Sequence, residues 1–257
     1  MKTLKYIALF VVAGFFGAQQ ANAQLLNIAV DPAATGSGTS DMSGVAVLGN
    51  GPSDQWNLVG DSYFGTTTGD LIDSAGTTTG VTLFYSNLGA ETYPLPNSTF
   101  TPDLYNNYVF AFTGSADPAN DSLRGTEASP LDFSGLAANT TYQLEFYSYN
   151  SGSGSDTTYT INGNTETLEQ VSNTTAFTST LVSPGVYSGN YIQVTGMTDS
   201  LGNLDIALGS AASNTSGNYG FTGIQIEAVP EPSTEAMMVA GLVALLYIGA
   251  RKRRQES

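Results

Sequence analysis

The sequence of 257 residues contains no cysteine and no histidine. Without thiolate and imidazole ligands, no zinc or copper site of the ordinary kind can be built. Ser-His and Cys-His catalytic pairs are excluded for the same reason, and no disulfide can stabilise the fold. Chemistry that uses only carboxylates, as in glycoside hydrolases, remains open.

Positive charge is scarce between residues 24 and 229, where Arg124 is the single basic residue. The same stretch holds 19 of the 22 acidic residues of the chain, which gives it a net charge of −18. A surface with so few cations cannot neutralise phosphates, so nucleic acid is excluded as a partner. The missing lysines also exclude a P-loop and a Schiff base. The acidic surface attracts divalent cations or simply keeps the domain soluble.

The first 23 residues have the three parts of a secretory signal peptide. Lys2 and Lys5 supply the positive start, residues 6–18 are apolar, and Ala21 and Ala23 form an A-x-A cleavage motif. We therefore expect export by the Sec machinery, removal of residues 1–23 and a mature chain that begins at Gln24. The alternative of an uncleaved anchor is disfavoured because the apolar run is short and a cleavage motif follows it.

The segment 229–257 combines a Pro-Glu-Pro sequence, a short apolar run and a basic end. The uncharged run favours a helix in an apolar medium, and a helix over about 234–250 can cross a thinned bilayer. Four basic residues follow and are expected to stay on the cytoplasmic side: Arg251, Lys252, Arg253 and Arg254. The simplest interpretation is a plain stop-transfer anchor that leaves residues 24–228 outside the cell.

The order of these three elements resembles the PEP-CTERM sorting signal of Gram-negative bacteria. The resemblance rests on Val229, Pro230, Glu231 and Pro232, followed by the short helix and the terminal RKRR. Glu235 departs from the family pattern, which usually has an aromatic or small residue there. The resemblance implies processing by an exosortase, with a transient stay in the inner membrane before the protein reaches the cell surface or the extracellular matrix.

Between its two ends the sequence is typical of an all-β protein. Short runs of β-branched and aromatic residues are separated by Gly, Asn, Ser, Thr and Pro, and no helical apolar period of useful length occurs. This pattern predicts a single β-sandwich, of the jelly-roll type, over residues 24–228. The predicted strands are Leu25–Val30, Val45–Leu48, Val81–Tyr85, Tyr108–Phe112, Tyr142–Tyr149, Thr157–Ile161, Thr165–Leu168, Thr175–Leu181, Tyr191–Thr195, Leu204–Leu208 and Phe221–Ala228.

Two of these segments carry the clearest signals. In TTYTINGNTETL, Asn162-Gly163 predicts a two-residue hairpin turn, because both residues tolerate positive φ. In TYQLEFYSY, one face carries Tyr142, Leu144 and Phe146. The other carries Gln143, Glu145, Tyr147 and Tyr149. A second face that is both amphipathic and aromatic is unusual for a purely solvated surface.

Four segments, in their order along the chain, resemble galactose-binding-like jelly rolls. They are VAVLGNGPSDQWN, FSGLAANTTYQLEFYSYN, YTINGNTETL and GFTGIQIEAV, and together they span most of residues 25–228. The resemblance implies a carbohydrate-binding type of sandwich, often with a structural calcium ion.

Four residues are candidates for contact with a ligand. Trp56, the single tryptophan, could stack on a sugar ring or fill the core. Arg124 could bind a carboxylate or form a structural ion pair with Asp121 or Glu127. Tyr147 and Tyr149 lie on the aromatic face of the central strand.

Candidate calcium ligands form two sets of oxygen donors near turns. The first set is Asp199, Asn203 and Asp205, and the second is Asp117, Asn120 and Asp121. Neither set has the spacing of an EF-hand.

Three functions are compatible with these features. The first is a non-enzymatic surface or matrix protein that is associated with extracellular polysaccharide. The second is a glycan-degrading enzyme that uses a carboxylate pair, although no pair stands out among the 19 acids. The third is a passive coat protein without a ligand.

Overall fold

The computed structural model describes residues 24–30, 38–43, 46–49, 53–60, 65–86, 89–92, 107–112, 129–148, 156–171, 177–214 and 218–229. Within these ranges the chain contains no helix. No described segment is therefore a helix with the length and hydrophobicity needed to cross a bilayer. The predicted signal peptide, with Ala21 and Ala23, and the predicted tail beyond Val229 lie outside the described residues. Gln24–Ala228 forms a compact unit of its own.

The described residues form seventeen strands. They are β1 (Leu25–Val30), β2 (Gly38–Ser43), β3 (Gln55–Val59), β4 (Thr66–Thr67), β5 (Thr82–Tyr85), β6 (Gly89–Thr92), β7 (Asn107–Phe112), β8 (Ser129–Ser134), β9 (Thr141–Tyr147), β10 (Thr157–Ile161), β11 (Asn164–Gln170), β12 (Ser179–Ser183), β13 (Val186–Gly189), β14 (Tyr191–Met197), β15 (Leu204–Ser210), β16 (Asn218–Phe221) and β17 (Gly223–Ala228).

Two large sheets form a sandwich, so the prediction of an all-β sandwich is confirmed. The six-stranded sheet has the order β14-β9-β17-β1-β3-β2, and the eight-stranded sheet has the order β12-β13-β11-β10-β15-β8-β5-β4. Most neighbours are antiparallel, but β1 pairs with β3, and β11 with β13, in parallel. A smaller sheet contains β16, β7 and β6 in that order.

The core lies between the two large sheets and follows from the period-two pattern of their strands. Leu144, Phe146 and Ile192 face it from the six-stranded sheet, and Tyr159 and Leu208 face it from the eight-stranded sheet; all are fully buried. The rings of Phe146 and Tyr159 stack across the interface with their centroids 4.3 Å apart. Burial of these large apolar surfaces is the main force that holds the sheets together.

The predicted hairpin at Asn162-Gly163 is confirmed. Both residues have positive φ, +50° and +79°, and strands β10 and β11 pair on either side of them. The Asn162 amide also donates to the Met197 carbonyl at 3.0 Å and accepts from the Met197 N–H at 2.8 Å. The turn is thereby fastened to the end of β14 in the other sheet.

The predicted strand Val45–Leu48 is wrong, because residues 46–49 are irregular. Their backbone groups bond to side chains of the six-stranded sheet instead of to a neighbouring strand. The next segment, Gln55–Val59, is a strand that the sequence pattern did not predict.

Two glycines with nearly equal positive φ offer a matched stability test. A methyl group on Gly163 (φ +79°) would meet no atom within 4 Å, whereas one on Gly202 (φ +82°) would lie 2.1 Å from the Leu136 carbonyl oxygen. We expect Gly163→Ala to lower the free energy of unfolding by about 1 kcal/mol, through backbone strain alone. Gly202→Ala should lower it by at least about 3 kcal/mol, because a backbone clash is added. Urea unfolding of residues 24–228 measures both, and equal losses would contradict the close approach at Gly202.

Candidate functional site

The outer face of the six-stranded sheet carries an unusual row of polar side chains. Register pairs Gln193 with Glu145, Glu145 with Gln225, and Gln225 with Asn27 across four adjacent strands. Glu145, Gln225 and Asn27 are fully buried, although they point away from the main core. The amphipathic second face predicted for the strand around Glu145 is therefore present, but half of it is covered.

Residues 46–49 help to close the half of this face that lies over β17 and β1. The Val47 N–H donates to the Tyr147 hydroxyl at 2.9 Å, and the Leu48 N–H donates to Gln225 Oε1 at 2.9 Å. Gln225 Nε2 donates to the Leu48 carbonyl at 2.7 Å and to Asn27 Oδ1 at 2.8 Å. Each bond satisfies a buried polar group, so this half of the face is structural.

Glu145 is an exception within this network. Its Oε1 accepts a hydrogen bond from Gln143 Nε2 at 3.0 Å, but its buried Oε2 has no partner. Burial disfavours the charged form and raises the pKa of Glu145 to about 7, against the opposing effect of the Gln143 bond. Burial is the larger cause that raises the pKa of Tyr191, and the nearby charge of Glu145 raises it further.

The other half of the face, at β14, is open. Tyr147, Phe177 and Tyr191 form an aromatic cluster, with centroid distances of 5.3 Å from Tyr147 to Phe177 and 6.2 Å from Phe177 to Tyr191. Phe177 and Tyr191 are half-buried, and Gln193 on the same strand as Tyr191 is exposed. Aromatic and amide groups are thus available to solvent along β14.

A groove large enough to hold a small ligand runs beside β14. This edge groove, about 520 Å³ in volume, lies between β14 and β11. It is lined by Ile161, Asn164, Thr165, Glu166, Tyr187, Gln193, Val194 and Thr195.

The lining of the edge groove combines one aromatic ring with several hydrogen-bonding groups. Tyr187 is half-buried against the core, and Glu166 Oε2 is buried without a hydrogen-bond partner. That oxygen lies against the turn at Gly185, where a methyl group would come within 3.3 Å of it. An aromatic face next to amide, hydroxyl and carboxylate groups suits a molecule that has both C–H faces and hydroxyl groups.

The ligand candidates from the sequence do not meet at this groove. Trp56 and Tyr147 lie in the interior with 1% and 0% of their surfaces exposed. Arg124 and Tyr149 lie outside the described residues. Glu166, Tyr187 and Gln193 come from three different strands and were not predicted from the sequence. The one available signal was the TTYTINGNTETL hairpin, whose second strand contains Glu166.

The first candidate calcium set is organised as a turn. Asp199 Oδ1 accepts from the Leu201 and Asn203 N–H groups at 2.8 Å, and Oδ2 accepts from Asn203 Nδ2 at 3.0 Å. These hydrogen bonds, of which those from Asn203 have the largest effect, hold the pKa of Asp199 below its usual range. Both Asp199 oxygens are therefore used within the turn.

Asp205 lies directly opposite Asp132 on the neighbouring strand, beside a second groove of about 490 Å³. Burial, and next the charge of Asp205, raise the pKa of Asp132. In the described part of the chain, no three acidic side chains come together to hold a metal ion. Calcium binding by Asp199, Asn203 and Asp205 stays a prediction, and Asp117, Asn120 and Asp121 lie outside the described residues.

Comparison with known families identifies the tail. Residues 228–254 match the PEP-CTERM protein-sorting motif. The chain carries a PEP-CTERM sorting motif. This motif marks an exported protein that is directed toward the cell surface of a Gram-negative bacterium, as the resemblance implied. No curated protein matches the chain.

Several solved structures resemble the sandwich distantly. The ANXUR2 extracellular domain from Arabidopsis thaliana is 12% identical, with a TM-score of 0.43, over 81% of this chain and 42% of that chain. A family 35 carbohydrate-binding module from Clostridium thermocellum is 17% identical, with a TM-score of 0.31, over 56% of this chain and 90% of that one. The match therefore spans less than half the length of the ANXUR2 domain.

The buried carboxyl of Glu145 predicts that stability depends on pH. The folded chain keeps a proton on Glu145 that the unfolded chain loses above pH 4.5, so the free energy of unfolding falls as pH rises toward 7. At pH 8, Glu145→Gln should be more stable than the natural protein by about 2 kcal/mol. At pH 4 the two should be nearly equal.

Urea unfolding across this pH range measures the effect. Glu169→Gln, at a half-buried position on β11, is the control for the loss of one carboxylate at another place in the fold. Parallel curves for Glu145→Gln and the natural protein would show that Glu145 is not the responsible group.

Proposed function

We propose that this chain is a non-enzymatic cell-surface or extracellular-matrix protein, processed by an exosortase, whose β-sandwich associates with glycan through the edge groove. The sorting motif at residues 228–254 is the observation that carries the first part. The composition of the edge groove supports the second.

Sorting by this motif accounts for the unusual tail. The helix expected over about 234–250 is a temporary membrane handle that stops transfer at Arg251–Arg254. Cleavage by an exosortase near Pro230-Glu231-Pro232 then releases the ectodomain from the inner membrane. A handle that is removed needs only marginal length, which agrees with its short apolar run.

Replacement of Pro230-Glu231-Pro232 by three alanines should abolish this processing. The full-length form, still carrying RKRR, should then accumulate in the inner membrane, as it should in a strain without the exosortase. Mass spectrometry of membrane and surface fractions detects the tail peptide. Replacement of Gln255-Glu256-Ser257 by alanines is the control and should be processed normally. Recovery of RKRR on the natural surface protein would refute this route.

The edge groove supports glycan association through its chemistry. Tyr187 offers a ring face, while Asn164, Gln193 and Thr195 offer amide and hydroxyl groups at the rim. Glu166 lines the same groove and is only half-buried, so its carboxylate can accept a hydrogen bond from a sugar hydroxyl. Because the domain carries a charge of −18, neutral glycans are favoured over polyanionic ones.

Binding of the source bacterium's exopolysaccharide to residues 24–228 tests the groove. Tyr187→Ala should weaken retention in affinity electrophoresis about tenfold, because the stacking surface is lost. Glu166→Gln should weaken it, because one carboxylate acceptor becomes an amide donor and the negative charge is lost, whereas Glu169→Gln on the same strand should not. Urea unfolding checks that each variant folds.

Repeating the assay with calcium and with chelator tests the metal prediction independently. Binding lost only in chelator would support a calcium requirement and direct attention to Asp199, Asn203 and Asp205. Absence of binding in both conditions would leave the domain as a passive coat protein.

A non-catalytic role is also part of the proposal. Glu145, whose pKa of about 7 would suit a general acid, has no exposed surface, so a substrate has no access to it. Purified protein should release no reducing ends from a polysaccharide panel. Release that disappears in Glu145→Gln would establish the glycan-degrading alternative instead.

A further inference from the structure

The strand β12 is an exposed edge of the eight-stranded sheet. In the described part of the chain it pairs only with β13, and the far side of Ser179–Ser183 is open. Leu181 and Val182 each have 59% of their surface exposed. Two large apolar side chains on an open edge are uncommon in soluble domains, because such edges pair readily with other strands.

The hydrogen-bond pattern shows which backbone groups of β12 face outward. The Asn190 N–H donates to the Thr178 carbonyl at 2.9 Å, and the register continues through Ser179 with Gly189 and Thr180 with Ser188. In an antiparallel pair, bonded and non-bonded residues alternate. Thr180 therefore bonds toward β13, and the N–H and C=O groups of Ser179 and Leu181 point to the open side.

The edge lacks the usual protection against pairing. The strand contains no proline and no charge, and no Asp, Glu, Lys or Arg occurs anywhere in residues 170–198. The register shift in β12 lies between Leu181 and Ser183, at its turn end, so it leaves Ser179–Leu181 regular. Charged side chains and bulges in mid-strand are the common devices that block edges.

We propose that β12 pairs with β12 of a second copy of this chain, antiparallel about a two-fold axis at Thr180. In this register Ser179 exchanges backbone hydrogen bonds with Leu181 of the other copy, and Leu181 with its Ser179. Thr180 faces Thr180 at the close, non-bonded position, where threonine pairs are favourable. The two Leu181 side chains lie diagonally across the axis on the same face, within contact distance of each other.

The charge distribution selects a second copy as the occupant. The domain has a net charge of −18, so two copies repel wherever their acidic surfaces approach. The hairpin of β12 and β13 is an uncharged surface on both copies, and it matches itself in charge and in strand register. A two-fold axis makes this contact closed, since the same patch is used on both sides.

Sedimentation velocity of residues 24–228 tests the pairing. We expect a concentration-dependent monomer–dimer equilibrium that strengthens with added salt, because salt screens the repulsion while the interface has no ion pairs to lose. Leu181→Lys should weaken dimerisation at least tenfold. Leu201→Lys is the matched control, since Leu201 is more exposed (77%) but lies in a turn away from β12, and it should leave the equilibrium unchanged.

The absence of cysteine permits a second, register-specific test. Thr180→Cys should form a covalent dimer under mild oxidation, because the two residues face each other. Thr165→Cys, exposed on β11, should not cross-link in the same conditions. A monomer at all concentrations, a dimer that survives Leu181→Lys, or equal cross-linking at positions 180 and 165 would each overturn the proposal.

Discussion

The six-stranded sheet buries the whole of one face and about half of the other. One face packs on the eight-stranded sheet through aliphatic and aromatic side chains, while the other carries Asn27, Glu145, Tyr147 and Gln225, which are also fully buried. Buried amide and hydroxyl groups are stable only when their hydrogen bonds are made. The backbone of residues 46–49 makes several of them, so its irregular course meets a requirement of this sheet.

Two strands were predicted with the bounds that the structure has, and both carry a run of large side chains on alternate residues. Leu25–Val30 and Thr157–Ile161 have the predicted bounds because one face of each strand is apolar. Val45–Leu48 has the composition of a strand, but its bonds go to Tyr147 and Gln225, which no local pattern can reveal. Ser129–Ser134 was not among the predicted strands, and it contains Pro130. The proline is tolerated there because it pairs with Ala207 on one side only, beyond the residues of β8 that pair with β5.

The candidate site was less predictable than the fold. The edge groove takes Glu166 from β11, Tyr187 from β13 and Gln193 from β14, and these strands meet only because β13 crosses over to lie parallel to β11. Trp56 and Tyr147 were reasonable candidates from their residue types, but the sheet uses both in its interior. Burial on the second face of a sheet depends on what covers it, and the sequence of one strand does not contain that information.

The uncharged segment 170–198 connects the proposed glycan site to the open edge. It supplies Tyr187, Gln193 and Thr195 to the edge groove, and it also contains the whole of β12, in which Leu181 pairs with Tyr187. The domain has a net charge of −18, but the segment 170–198 contributes no carboxylate to it. Another molecule can therefore approach this segment without meeting negative charge from its side chains. Pairing of two copies through β12 would place two edge grooves on one assembly. Because linked weak sites bind a repeating polymer more tightly than either site alone, a shallow groove would suffice for retention among extracellular glycans.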